Sequence, residues 1–345
     1  MRTETRRLFN AYLARVAQAN HVDSASSKFN VEPSVQQTLF DRIQESSEFL
    51  NRINIVGVPE MKGEKLGLSV TNAILDRTDT NGGDGSVRRQ PKDPSGLSKR
   101  GFELHQTNAD TYLSYGKLDM WAKFPDFAQR IAAHISRAIS LDMIRVGWNG
   151  TEAAADVNRA TDPLGTTVNI GWLEKMRLEA PARVMDEVAG GKAAGKVTYG
   201  TDGDYASLDA LVYDASQSLL PTWAADDTEL IAIVSRDLLH DKYFPLMNET
   251  HDPENQLARD VIMSSKRLGG LPAVRVPFFP AGKVFITRYD NLSIYQQEGK
   301  RRRLVKDEPE YDRVANYESS NDAYVLEDDD YGALVENIEL RDVAA

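Results

Sequence analysis

The chain has 345 residues, a net charge of −11, 41% hydrophobic residues and no cysteine. That length suits two core-bearing units, or one domain with long excursions. The missing cysteines exclude disulfide frameworks, thiolate nucleophiles and thiolate metal sites.

Residues 4–19 set Leu8, Phe9, Tyr12, Leu13 and Val16 at helical spacing, and 20–32 is polar and Ser-rich. The chain is therefore expected to begin with an amphipathic helix on a flexible tether. Glu4, and the lack of serine before Ser24, argue against a mitochondrial transit peptide, and the scattered charges argue against a secretory signal. Pro33 opens a second helical stretch, with Val35, Leu39, Ile43, Phe49 and Leu50 as its apolar positions. INIVGVPE and KLGLSV read as short strands and YLSYGKLDMW as a returning one. Between them lies TDTNGGDGSVRRQPKDPSGLSKRG, a polar stretch too long for an ordinary loop. It predicts an extended hairpin whose tip is stable only when a neighbouring molecule covers it.

Over 124–148, Phe124, Phe127, Ile131, Ile135, Ala138, Ile139, Met143 and Val146 recur at three- and four-residue spacing. About 25 residues at ~1.5 Å each predict a rod of about 37 Å, a structural spine. Residues 171–189 read as a helix with a break at Pro181, followed by a Gly-rich connection. Asp204 or Ser207 can cap the next helix, with Leu208, Leu211, Val212 and Leu219 as its stripe. ELIAIVSR is a buried-strand pattern and DLLHDKYFPLMN a helix ended by Pro245. LPAVRV, KVFITR and LSIYQQ are further strands, so 205–297 predicts an α/β layer sandwich. DAYVLEDDDYGALVENIEL alternates like a strand on an acidic background.

The charge is uneven, +3 over residues 1–31 and −11 over 307–345. An acidic chain is a poor binder of phosphate backbones, because affinity there comes from Lys and Arg displacing counterions. No apolar run reaches the roughly 18 residues that a membrane span needs.

The residues give an enzyme no mechanism. GGKAAGKV (190–197) approaches the phosphate-cradling loop G-x-x-x-x-G-K-[ST], but Val197 stands where a hydroxyl is required, and the preceding RVMDEVA reads as helix rather than strand. His240–Asp241 and His251–Asp252 match no compact metal spacing. Arg301, Arg302 and Arg303 continue a basic run from Lys300, and Asp328, Asp329 and Asp330 close an acidic one from Glu327. These runs, with Arg88, Arg89 and Lys92 of the hairpin, are candidate contacts between subunits.

The stretches FNAYLARVA (9–17), VEPSVQQTL (31–39), QESSEFLNRINIV (44–56), EMKGEKLGL (60–68), RQPKD (89–93), EAPARVM (179–185), GDYASLDALVYDA (203–215), DKYFPLMN (241–248), LPAVRVPFFPA (271–281), NLSIY (291–295) and DRVANYES (312–319) span the chain in order. Their wording resembles the major capsid proteins of peduovirus-type tailed phages, a branch of the HK97-like fold. The resemblance implies an α+β protein with an N-terminal arm (1–55) and an extended β-hairpin loop (56–120). It further implies a peripheral domain with the spine helix (121–204 and 310–345) and an axial α/β domain (205–309). It implies a non-enzymatic shell subunit without cofactor, assembling with itself as hexamers and pentamers in the host cytoplasm. The implied partners are an internal scaffold that carries a protease, a portal protein at one vertex, and double-stranded DNA enclosed without sequence-specific binding. An N-terminal segment would be trimmed between Ser26 and Val31, the expected bond being Phe29–Asn30. An encapsulin-like cellular compartment shares the fold and is the alternative.

Overall fold

A computed structural model describes residues 1–45, 47–70, 77, 95–122, 124, 127–248 and 266–342. Two compact units emerge, Met1–Pro59 with Leu104–Ala345, and Glu60–Glu103.

The chain opens with α1 (Thr3–Ala19), a two-residue strand β1 (Phe29–Asn30), α2 (Pro33–Glu45) and β2 (Asn54–Val58). The second unit is the hairpin β3 (Lys62–Val70) and β4 (Ser95–Glu103). β5 (His105–Asn108) and β6 (Thr111–Ser114) follow, and then the expected strand YLSYGKLDMW turns helical as α3 (Tyr115–Trp121). The physical reason is the three-residue spacing of Tyr115, Leu118 and Trp121, which places all three in one apolar cluster.

The spine is α4 (Phe127–Asn149), 23 residues and about 35 Å long. The expected helix over 171–189 is shorter, α5 (Trp172–Glu179), because Pro181 pushes Ala180 out of helical geometry to φ −138° and ψ 57°. Arg183-Val184-Met185 then leads into β7 (Val184–Met185) rather than continuing a helix. β8 (Val197–Tyr199) precedes α6 (Leu208–Ser218), whose N-cap is Ser207, accepting from the Ala210 amide at 3.2 Å. α7 (Thr222–Ala225) and β9 (Ile231–Val234) lead to α8 (Arg236–Asn248), which continues past Pro245. An interior proline costs one helical N–H bond and crowds the preceding turn, and the buried Leu238 and Leu239 anchor the first turn against that cost. The remaining strands are β10 (Arg267–Leu268), β11 (Leu271–Val274), β12 (Val284–Thr287), β13 (Leu292–Gln297), β14 (Arg302–Glu308), β15 (Arg313–Leu326), β16 (Ala333–Val335) and β17 (Ile338–Leu340).

Two sheets organise the first unit. A six-stranded sheet runs β10-β11-β9-β12-β16-β7. It is buried on both faces, so its strands read as continuous apolar runs. Ile231, Ile233, Phe285 and Leu334 face one cluster with Trp148 and Trp172, while Ala232, Val234, Ile286 and Val335 face α6. The seven-stranded sheet runs β1-β14-β15-β13-β2, with β5 and β6 also paired to β15. Its Leu292, Ile294, Tyr324 and Leu326 join the same tryptophan cluster, so one core links both sheets. At its centre Trp172 is fully buried, its Nε1 donating to the Ser293 carbonyl at 3.1 Å. Gly147 on α4 gives this ring room, since a Cβ there would lie 2.4 Å from its Cζ3.

The sheets do not follow the boundaries expected at 204/205 and 309/310. β13 and β14 belong with β15, whereas β7 and β16 complete the six-stranded sheet. Pairing between strands far apart in the chain sets this membership, and local periodicity carries no trace of it.

Candidate assembly surfaces

The N-terminal arm is docked rather than tethered. Phe9 of α1 packs with Leu118 of α3, Ile131 of α4, Val305 of β14 and Val314 of β15. Polar contacts fix the docking: Arg6 pairs with Asp307, which also accepts from the Tyr115 hydroxyl at 2.6 Å, and Arg303 donates to the Tyr12 hydroxyl at 3.0 Å. Burial alone would raise the Asp307 pKa, but the hydrogen bonds from Arg6 and Tyr115 outweigh it and hold the carboxyl below its ordinary range.

The following segment, expected as a free linker, buries Ala25, Phe29 and Val31 against Ala17. Polar composition hid these three apolar anchors. β1 then covers part of the edge of β14, with Phe29 opposite Arg303 and Asn30 opposite Arg302. A covered edge is protected from pairing with another chain. The Phe29–Asn30 bond thus sits inside a paired strand, with Phe29 only 8% exposed.

The basic and acidic runs each find partners elsewhere in their own chain. Arg301, 3% exposed, immediately precedes β14 and pairs with the similarly buried Glu318 of β15 at 2.5 Å. Arg303 donates to Asn316 at 2.7 Å, and Arg302 is exposed. Asp330 pairs with Arg183, Asp328 caps the turn at 329–331 through the Asp330 amide, and Asp329 is buried. Arg301 and Asp329 are therefore not on a surface that a neighbour can reach. Arg88, Arg89 and Lys92 lie outside the described residues.

The hairpin pairs nine residues on each side, from Lys62–Glu103 to Val70–Ser95, with an ion pair between Lys62 and Glu103 at 2.7 Å. Periodicity also missed a set of exposed aromatics. Arg313 lies 4.9 Å from the Tyr112 ring centroid and 4.6 Å from that of Tyr311, both more than 60% exposed. Trp223 is half-exposed and meets Tyr331 edge-on at 5.2 Å. Tyr112 lies in a strand, where an aromatic reads as core, and nothing local marks Tyr311 or Trp223 as surface.

The weak catalytic candidates dissolve into structure. The 190–197 loop follows a strand and turns, and it runs into β8 rather than into a helix whose N-terminus would hold phosphate. Lys196 pairs with Glu339, and Lys192 with Asp202 at 3.7 Å. His240 Nδ1 lies 3.5 Å from Asp241, and His251 is outside the described residues. Among the described residues, no three His, Asp or Glu side chains are placed to hold a metal ion, and no helix is long and apolar enough to cross a membrane.

Comparison with known proteins agrees with this architecture. Residues 8–338 match the family model described as phage major capsid protein, P2 family. The chain is 51% identical over 347 residues to the capsid proteins of Escherichia phage P2, covering 99% of this chain and 96% of that one. It is 38% identical to the major capsid protein of Serratia phage KSP20, covering 98% and 97%. Its fold matches the satellite phage P4 procapsid, a structure that includes the size determination (Sid) protein, with a TM-score of 0.81, 48% identity and full coverage of both chains. Such identity over the whole length sets aside the compartment alternative and makes the molecule a virion shell subunit with an HK97-like α+β fold. The chain belongs to the P2 family of phage major capsid proteins.

Proposed function

We propose that this subunit forms hexamers and pentamers that close into an icosahedral head around double-stranded DNA. The observation that carries this reading is the hairpin of 60–103, a compact unit of two strands. An isolated two-stranded hairpin is marginal in water, so packing against neighbouring copies would stabilise it. Many weak contacts of this kind add through multivalency, and symmetry closes the shell. The arm (1–55) and the extended loop (56–120) then contact neighbours. The spine and seven-stranded sheet make the peripheral part, and the six-stranded sheet with α6 the axial part. With a net charge of −11, the subunit contains nucleic acid without reading its sequence. It performs no catalysis and carries no cofactor. Assembly takes place in the bacterial cytoplasm around an internal scaffold that carries a protease, with a portal protein at one vertex.

Replacing 71–94 by a two-residue Asn-Gly turn tests this reading. The expected product is a folded subunit, unchanged in circular dichroism, that forms no stable particles in electron microscopy. Normal, heat-stable shells would refute it. Trimming at Phe29–Asn30 requires β1 to leave β14, and mature particles retaining Met1 by mass spectrometry would contradict it.

A further inference from the structure

A cavity of about 470 Å³ lies between α4 and the middle of β15. Ile139, Met143 and Val146 make its helix side, and Gln296, Glu318 and Asp322 contribute polar lining. The charges do not balance. Glu318 is answered by Arg301, and Asp142 by Arg145 and Arg159 at 2.6 and 3.3 Å. Asp322, 5% exposed, accepts the Ser320 hydroxyl on Oδ2 at 2.6 Å and shares the charge of Arg301 with Glu318. Its Oδ1 has no hydrogen-bond partner, and neither has Oε1 of Gln296, the residue directly opposite it in the β13–β15 register. Burial pushes the Asp322 pKa up by more than the hydrogen bonds of Ser320 and Gln296 and the charge of Arg301 pull it down.

Two unpartnered acceptors on adjacent strands, in a cavity lined by more acidic than basic side chains, suit a donor with more than one N–H and a positive charge. The apolar wall calls for methylenes behind it. Calcium or magnesium is a poor fit, because each takes six or more oxygens, and the described residues bring no three acidic or histidine side chains together for any metal. We infer that this cavity binds a primary alkylammonium group, which donates to Asp322 Oδ1 and Gln296 Oε1 while its chain lies along Ile139, Met143 and Val146. Its volume falls within the range of small-molecule sites. The ammonium comes either from a free alkyl diamine or from a lysine of a neighbouring copy.

Calorimetric titration of the full-length subunit with 1,4-diaminobutane tests the first source. Saturable one-to-one binding is expected, lost with the uncharged butane-1,4-diol. Asp322→Asn should weaken it about ten- to hundred-fold, the worth of a charged hydrogen bond. Asparagine keeps the shape of the neutral carboxyl, the thermal midpoint checks that the variant folds, and Gln296→Leu gives an independent loss of one acceptor. The second source predicts no binding to free subunits, but a carbodiimide cross-link from Asp322 to a lysine of another copy in assembled particles. Absence of both, or equal binding by Asp322→Asn, overturns the inference.

Discussion

Replacing either member of the buried Arg301–Glu318 pair should unbalance three charges rather than two. The two side chains are 4% and 5% exposed, joined at 2.5 Å and 2.6 Å. Removing one partner of such a pair typically costs about 3–5 kcal/mol, because the other is left buried without a counter-charge. Asp322 makes the two substitutions unequal. Burial raises its pKa, Arg301 pulls it down and Glu318 pushes it up. In Glu318→Gln, Arg301 remains and Asp322 can ionise in place of the lost carboxylate, so the cost falls at or below about 3 kcal/mol. In Arg301→Met, two carboxyls remain beside each other without that guanidinium, and the cost rises towards about 5 kcal/mol. Urea unfolding of the full-length subunit, followed by the fluorescence of the buried Trp148 and Trp172, measures both. If Glu318→Gln costs as much as Arg301→Met, or if both cost less than about 1 kcal/mol, the buried three-charge account is wrong.

The same residues set a pH dependence. Burial opposes ionisation of Glu318, but Arg301 and Arg303 win and hold its pKa low. Its contribution is therefore present above the unfolded value of about 4.3 and lost as pH falls through the folded one. Asp322 acts in the opposite sense, because stability present below about pH 4 is lost as pH rises towards its raised folded pKa. Asp322→Asn should thus exceed the parent chain in stability at pH 7, by a margin that shrinks towards pH 4 in the same urea assay. Gly147→Ala should cost about 1–3 kcal/mol by forcing the Trp172 ring aside, visible as altered near-ultraviolet circular dichroism. Phe9→Ala should weaken arm docking by about 3 kcal/mol or more and speed proteolytic cleavage between residues 20 and 30. Unchanged cleavage would mean that the arm is held by its polar contacts alone.

Much of this molecule was legible in its order of residues. The spine declared itself because a 3.6-residue apolar period needs no partner to be recognised, and the buried strand ELIAIVSR did so by its continuous β-branched run. The chain-wide wording carried the family. Three things only the tertiary structure decided. The linker around Phe29 became a docked strand because the edge of β14 lay beside it. The basic run was divided, with Arg301 drawn inside towards Glu318 and Arg302 left outside, since alternation along a strand assigns faces only once the sheet exists. Asp322 looked like one more acid in an acidic tail, yet burial opposite Gln296 raises its pKa in spite of Arg301. Local sequence sets period and propensity, whereas burial and charge balance depend on residues tens to hundreds of positions away, which only the closed fold brings together.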